Sequence, residues 1–370
     1  MIKLFSLAAK RIFSSAYYKS NLSLGRAVKP LFINFPITYL CNSRCVMCAI
    51  WKKYNSAFGE IERKPQDELK LKDIADFVKN NKGFLSDLKS IGLTGGEAFL
   101  RDDIVEIIRA IHQELPWVDL GVQTNGLLPD LIKEKIVEVL KFYPNFKIAV
   151  SLDGLDVVHD RMRGINGAYE KAMQTIRYAK ELGLTGITCG MTLTVDNFDR
   201  IQEVAQKVES LGCEFSCFFA EKSEYFGNKQ GNRAFSAQQL NTISGQLEKF
   251  RHHYFMDNLR LQISGTAKRT LPCYSGYTSY VINPYGDILP CILAEDSFGN
   301  IRQGLFMDIV SSDSSWQIRK KLKTCKCWCQ CEVSTSAIVM PFDVLKWFLK
   351  SKDKKKIANA FNKKILLNRL

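Results

Sequence analysis

The chain has 370 residues, 46% hydrophobic and 24% charged, with twelve cysteines and a net charge of +14. Length and balance fit an ordinary globular protein with a sizeable core, too long to need a disulfide framework. No run of eighteen apolar residues marks a membrane-crossing helix, and no apolar stretch with a small-residue cleavage site marks a secretory leader, so the default compartment is the cytoplasm.

The charge sits at the two ends. Residues 1–29 hold six Lys/Arg and no acid, and residues 346–370 hold nine Lys/Arg against Asp353; together they account for the whole +14. The body between them is neutral, so no nucleic-acid partner is expected. Both ends also carry large apolar residues, among them Ile12, Phe13 and Tyr17 in the first and Leu345, Trp347 and Phe348 in the last. Two readings stand: peripheral contact with an anionic inner-membrane surface, or terminal helices docked on the body.

From residue 31 to 220, β-rich runs alternate with segments of helical period. Strands are predicted at 31–40, 88–95, 117–125, 146–154, 185–195 and 213–220, and helices at 68–81, 102–114, 128–141, 167–182 and 197–211. In 102–114, for example, Ile104, Ile107, Ile108 and Ile111 share one face. Six such βα units predict a parallel α/β architecture, either an open (β/α)6 barrel or a doubly wound sheet. Residues 221–235 read as a linker, a helix is predicted at 236–256, and 259–335 reads as a small second domain with a Pro-Tyr-Gly-Asp turn.

In such folds the active site forms where strands end and loops to helices begin. After strand one comes Cys41-x3-Cys45-x2-Cys48; after strand two, Thr-Gly-Gly-Glu at 94–97; after strand three, Gln-Thr-Asn-Gly at 123–126; after strand four, Ser-Leu-Asp-Gly at 151–154. Four polar, glycine-rich strand ends on one rim are hard to attribute to turns alone. A structural zinc would want a fourth ligand beside the three thiolates. A [4Fe-4S] cluster held by three thiolates keeps one iron open for a ligand. Cys189, Cys213 and Cys217 lie in strand-like apolar surroundings and read as core residues.

The cysteine triplet after the first strand, with Gly-Gly-Glu after the second, resembles the radical S-adenosylmethionine (SAM) superfamily over residues 30–220. The resemblance implies a partial (β/α)6 TIM-type barrel, with Cys41, Cys45 and Cys48 on a [4Fe-4S] cluster whose open iron SAM chelates. Gly95, Gly96 and Glu97 then line the SAM amino group. The stretch from Ser151 to Gly164 is similar to the SPASM/twitch branch of the family, in which Ser151 and Arg163 hold the SAM ribose and carboxylate. An arginine suits the carboxylate, and glycines allow close backbone approach. The implied chemistry is reductive cleavage of SAM to a 5′-deoxyadenosyl radical and hydrogen abstraction, fed by a donor such as flavodoxin or ferredoxin.

Cys273-x12-Gly286-x4-Cys291 resembles the opening of the auxiliary-cluster domain of that branch. The following Cys325, Cys327, Cys329 and Cys331 alternate rather than taking its usual spacing, and six cysteines fall short of two four-thiolate clusters. One auxiliary [4Fe-4S] cluster is expected, on Cys273, Cys291 and two of the late four, with Cys325, Cys327 and Cys331 the leading choices and Cys329 open. Zinc or a redox thiol set are the competing readings. Ile292 stands where sulfatase-maturing members carry an acid, which speaks against that activity. The expected domains are a basic amphipathic segment (1–29), the barrel (30–220), a linker and helix (221–258), a twitch/SPASM-like domain (259–335) and a basic amphipathic tail (336–370). The expected substrate is a peptide or protein; the alternatives are a small molecule (sugar, lipid headgroup or metabolite) at the membrane, or a non-catalytic iron–sulfur or zinc protein.

Overall fold

The structure, a computed structural model, describes residues 15–357 except 59, 60, 62, 229–233, 267–270, 326 and 328, and also excludes the side chains of 330, 331 and 334. The outer parts of the basic segments 1–29 and 336–370, and the side chain of Cys331, thus lie outside the described residues.

Residues 15–24 form helix α1. Six strands follow, the first five each succeeded by a helix: β1 (Phe32–Thr38) and α2 (Leu71–Asn80), β2 (Ser90–Gly95) and α3 (Ile104–Glu114), β3 (Asp119–Thr124) and α4 (Pro129–Leu140). Then come β4 (Lys147–Ser151) with α5 (Asp156–Arg163) and α6 (Ala168–Glu181), β5 (Gly186–Leu193) with α7 (Ile201–Ser210), and β6 (Glu214–Phe219). The predicted strands and helices are all present, each within a few residues of its expected ends. α5 is an addition inside the Ser151–Gly164 stretch. The predicted helix at 236–256 is two, α8 (Ala237–Leu247) and α9 (Tyr254–Ile263). The extended backbone of His253 separates them and aims Tyr254, Phe255, Met256 and Leu259 into the core.

The six strands are parallel and lie side by side in chain order. A doubly wound sheet needs a reversal of strand order. Sequential order with right-handed crossovers keeps every helix on one face and curls the sheet into a partial barrel. The predicted face of α3 is fully buried at Ile104, Ile107, Ile108 and Ile111, each contributing on the order of 2 kcal/mol of burial.

The later segment extends this sheet. Strand β7 (Ser279–Ile282) pairs parallel with β1, with Ile33 beside Tyr280, and β8 (Asp287–Leu289) and β9 (Gly299–Asn300) continue antiparallel. The Pro-Tyr-Gly-Asp turn joins β7 to β8, and the Pro284 carbonyl accepts the Leu69 N–H at 2.7 Å. Residues 259–335 are therefore tied to the first barrel strand through a shared sheet.

Helices α10 (Phe306–Ser311), α11 (Asp313–Leu322), α12 (Gln330–Val339) and α13 (Pro341–Lys350) complete the described fold. Buried Trp347 of α13 donates its indole N–H to Asp257 of α9 at 2.8 Å, so this part of the tail is docked on the body. No helix among the described residues is long and apolar enough to cross a membrane.

Candidate active site

A cavity of about 210 Å³ opens at the C-terminal ends of the strands. Cys41, Cys45 and Cys48 all line it, together with Gly95, Gly96, Ser151 and Arg163. Seven of the eight residues expected at the cluster and SAM thus meet at one site.

The cysteine loop is held from several sides. Its Arg44 and Val46 N–H groups donate to the carbonyls of Arg163 and Met162 at the end of α5, at 2.9 and 3.0 Å. Asn125, after β3, donates its side-chain amide to Asn42 at 2.7 Å. Asn228 donates to the Met47 carbonyl at 2.7 Å, and the Phe226 carbonyl accepts the Ala49 N–H at 2.8 Å. Residues 221–228, expected to be a linker, therefore form part of the wall, with Glu221, Tyr225 and Phe226 at the cavity. Polar composition suggested a linker because the stretch is anchored by side-chain-to-backbone bonds rather than by an apolar stripe.

The two glycines have a packing reason. Gly95 has φ +133°, and a Cβ there would stand 2.1 Å from the Thr38 carbonyl oxygen; one on Gly96 would stand 2.1 Å from that of Leu40. Only bare backbone lets the β2 loop lie against the β1 loop and form the cavity floor.

Glu97 is the expected residue that lies elsewhere. It is fully buried behind the wall, where its carboxylate accepts Thr124 Oγ1 at 2.8 Å, Asn125 N–H at 2.7 Å and Phe99 N–H at 3.2 Å. Burial pushes its carboxyl up to about 7 against these three donors, which favour the anion. In this arrangement Glu97 fixes the β3 loop, and through Asn125 it reaches the cysteine loop.

Arg163, at the end of α5, is buried and pairs with fully buried Asp153 at 2.6 Å. Its Nη1 also lies 3.5 Å from Cys45 Sγ. Asp153 is held in turn by the Thr192 N–H at 2.8 Å. His159 accepts the Asp153 N–H on Nδ1 at 3.0 Å, and burial, then the nearby Arg163 charge, lowers its pKa to about 3, so it is a neutral packing residue. Asp160 accepts the N–H groups of Gly167 and Tyr169 at the start of α6. Asp153, Asn125 and Asn228 were missed as site residues. The Ser-Leu-Asp-Gly and Gln-Thr-Asn-Gly strand ends were the only signal for the first two.

The donor set fits the implied groups. Burial pushes the Cys41 thiol up to about 11 and the Cys48 thiol to about 12, so these two do not ionise unaided near neutrality. Cationic iron supplies the missing compensation. Arg163 Nε is buried without a hydrogen-bond partner, a donor left for an anionic ligand group. Among the described residues, no three His, Cys, Asp or Glu side chains converge as a single-metal site.

The late cysteines divide. The thiols of Cys273 and Cys325 share a hydrogen bond, which with burial raises Cys273, and Cys325 lies 3.4 Å from Cys327. Buried Cys291 is within electrostatic reach of Cys273, and both feel Glu332. Cys329, at the start of α12, instead lines the main cavity with Ile292. Cys189 and Cys217 are buried in the sheet, as expected of core residues.

The radical SAM superfamily model matches residues 35–208, and the model of an iron–sulfur cluster-binding domain, SPASM, matches 273–332. The chain belongs to the radical SAM superfamily. The second match places it in the SPASM branch, so it is a radical SAM enzyme that works with a [4Fe-4S] cluster and SAM and has an auxiliary iron–sulfur region. It is 27% identical over 309 residues to the sporulation killing factor maturation protein SkfB of Bacillus subtilis, covering 82% of this chain and 70% of SkfB. It is 25% identical over 284 residues to GTP 3′,8-cyclase of Aliarcobacter butzleri, covering 72% and 81%. The structure of Streptococcus suis SuiB bound to its precursor peptide SuiA superposes with a TM-score of 0.62 at 17% identity, over 85% of this chain and 75% of SuiB. That likeness shows the fold.

Proposed function

We propose that this radical SAM enzyme modifies a peptide or protein substrate by hydrogen abstraction. The observation that carries the reading is the SkfB relationship. The maturation protein of a sporulation killing factor is related over 82% of this chain. The SuiB fold, known with a precursor peptide bound, supports it.

When bound, the cluster would supply the one electron that reductive cleavage of SAM needs. Cys41, Cys45 and Cys48 would hold the iron, with the loop braced beforehand by Asn125 and Asn228. Ser151 and Arg163 would hold the ribose and carboxylate of SAM, Arg163 being steadied by Asp153. Gly95 and Gly96 admit the SAM methionyl end to the floor, and Glu97 acts as the brace behind it. The aromatic side of the cavity, Phe218, Phe219, Tyr225 and Phe226, would exclude water from the radical and contact substrate. Cys273, Cys291, Cys325 and Cys327 would hold the auxiliary cluster. Flavodoxin or ferredoxin would supply the electron.

A second reading, a small-molecule substrate, draws on the cyclase relationship. The deciding experiment is anaerobic. The enzyme is reconstituted with iron and sulfide and given SAM and dithionite, and 5′-deoxyadenosine is measured with short peptides encoded beside its gene and, separately, with nucleoside triphosphates. Stimulation by a peptide, with deuterium passing from labelled peptide into deoxyadenosine, is expected. Stimulation by a nucleotide alone would replace the peptide reading with the small-molecule one.

A further inference from the structure

Helix α13 has two apolar faces where a docked helix needs one. Val344 and Trp347 point inward and are buried, with Trp347 bonded to Asp257. Phe342, Leu345 and Leu349 recur at i, i+3 and i+7, which places them on one stripe of the opposite side. They are 50%, 49% and 60% exposed. Docking on the body accounts for the inner face and leaves the outer one unexplained.

The charge around that stripe is one-signed. Lys346, Lys350, Lys352, Lys354, Lys355 and Lys356 are all exposed. The two acids in the segment, Asp343 and Asp353, are half-buried. Asp343 is close enough to buried Tyr274 to raise its phenol, so it faces the body. A further apolar residue lies nearby: Tyr17 of α1 is 51% exposed, two residues from Ser15, whose hydroxyl lies 4.0 Å from Met340 Sδ just before α13.

We infer that the outer face of α13, with the lysines that follow it, is a docking surface for an anionic lipid bilayer. Phe342, Leu345 and Leu349 enter the headgroup boundary, and the lysines meet the negative surface. A soluble protein partner would meet this stripe with apolar residues but has no need of six exposed lysines and no exposed acid. A lipid surface uses both features together. The inference rests on the face of α13 and is independent of the substrate reading.

The test uses the full chain and co-sedimentation with vesicles of phosphatidylcholine, with and without phosphatidylglycerol. Binding is expected on the anionic vesicles only, with release at high salt, because the lysine attraction is screened there. The variant Leu345→Glu/Leu349→Glu should bind about tenfold more weakly. Replacing Lys352, Lys354, Lys355 and Lys356 with Gln should weaken it comparably. Circular dichroism and melting temperature, unchanged in both variants, establish that the fold is intact, since all six positions are exposed. No binding of the wild type to anionic vesicles at low salt would overturn the inference. So would equal binding by both variants, or a wild-type dimer that the Leu345/Leu349 variant dissociates while vesicle binding stays the same.

Discussion

The cysteine loop at 41–48 and the cysteine group at 325–331 contain nearly the same chemistry on different supports. The first is braced by hydrogen bonds from the ends of β3 and α5 and from residues 226–228, and all three of its thiols face one cavity. In the second, Cys325 pairs with Cys273 and lies 3.4 Å from Cys327, while Cys329 lines the main cavity. Cys329 is the residue that caps the start of α12, whereas Cys325 and Cys327 precede that helix. The triplet spaced 3 and 2 along the first loop gathers at one cavity, whereas the described late cysteines are shared between two places.

The largest effects should separate these two groups. Cys45→Ala is expected to abolish 5′-deoxyadenosine formation in the reconstituted enzyme. Cys273→Ala should leave uncoupled SAM cleavage measurable and remove the part of the iron and visible absorbance that belongs to the auxiliary region. Loss of all iron in both variants would mean that the regions fold around their metals as one unit. Next in size is Asp153→Asn. It leaves Arg163 buried beside Cys45 without its counter-charge, and SAM affinity and turnover should fall about 10- to 100-fold, read by SAM titration and single-turnover kinetics. An unchanged SAM affinity would reduce Asp153 to a packing role. Asn228→Ala strips the Met47 and Glu221 carbonyls of their buried donor and should cost about 1–3 kcal/mol in denaturant unfolding, with no equivalent loss from a substitution at exposed Lys323.

How far the sequence discloses this molecule depends on the range of the interaction. The barrel was legible because its signals are local and periodic: Ile104, Ile107, Ile108 and Ile111 announce α3 by spacing alone. Four polar strand ends disclosed the site because parallel topology puts them on one rim. Helix α5 was not legible, because its inward face is His159, Met162 and Arg163, and a period search looks for apolar residues where two polar ones stand. The pairing of β7 with β1 joins residues some 250 positions apart, and nothing local encodes it. Glu97 was identifiable as a residue of the rim, but spacing cannot say whether a side chain faces the cavity or braces it from behind.

The smallest expected effect probes that buried polar face. His159 is neutral in the fold, with a pKa lowered from about 6.5 to about 3, chiefly by burial. Its Nδ1 accepts the Asp153 N–H, so protonation would both bury a charge and break that bond. A histidine with a depressed folded pKa stabilises the fold fully above the unfolded value and loses that contribution as pH falls toward the folded one. The window is therefore from about pH 6.5 down to about pH 3. Within it, stability should decline by at most about 1.4 kcal/mol per pH unit from this group. His159→Gln keeps an acceptor for the Asp153 N–H and removes the titration. Denaturant unfolding of both proteins at pH 7 and pH 5.5 should show the wild type losing more than the variant by about 1 kcal/mol. Parallel losses in the two would mean that His159 is reached by water. In that case Arg163, on the same helix, would also be less thoroughly buried than the Asp153 pair requires, and its charge would be partly screened before any ligand arrives.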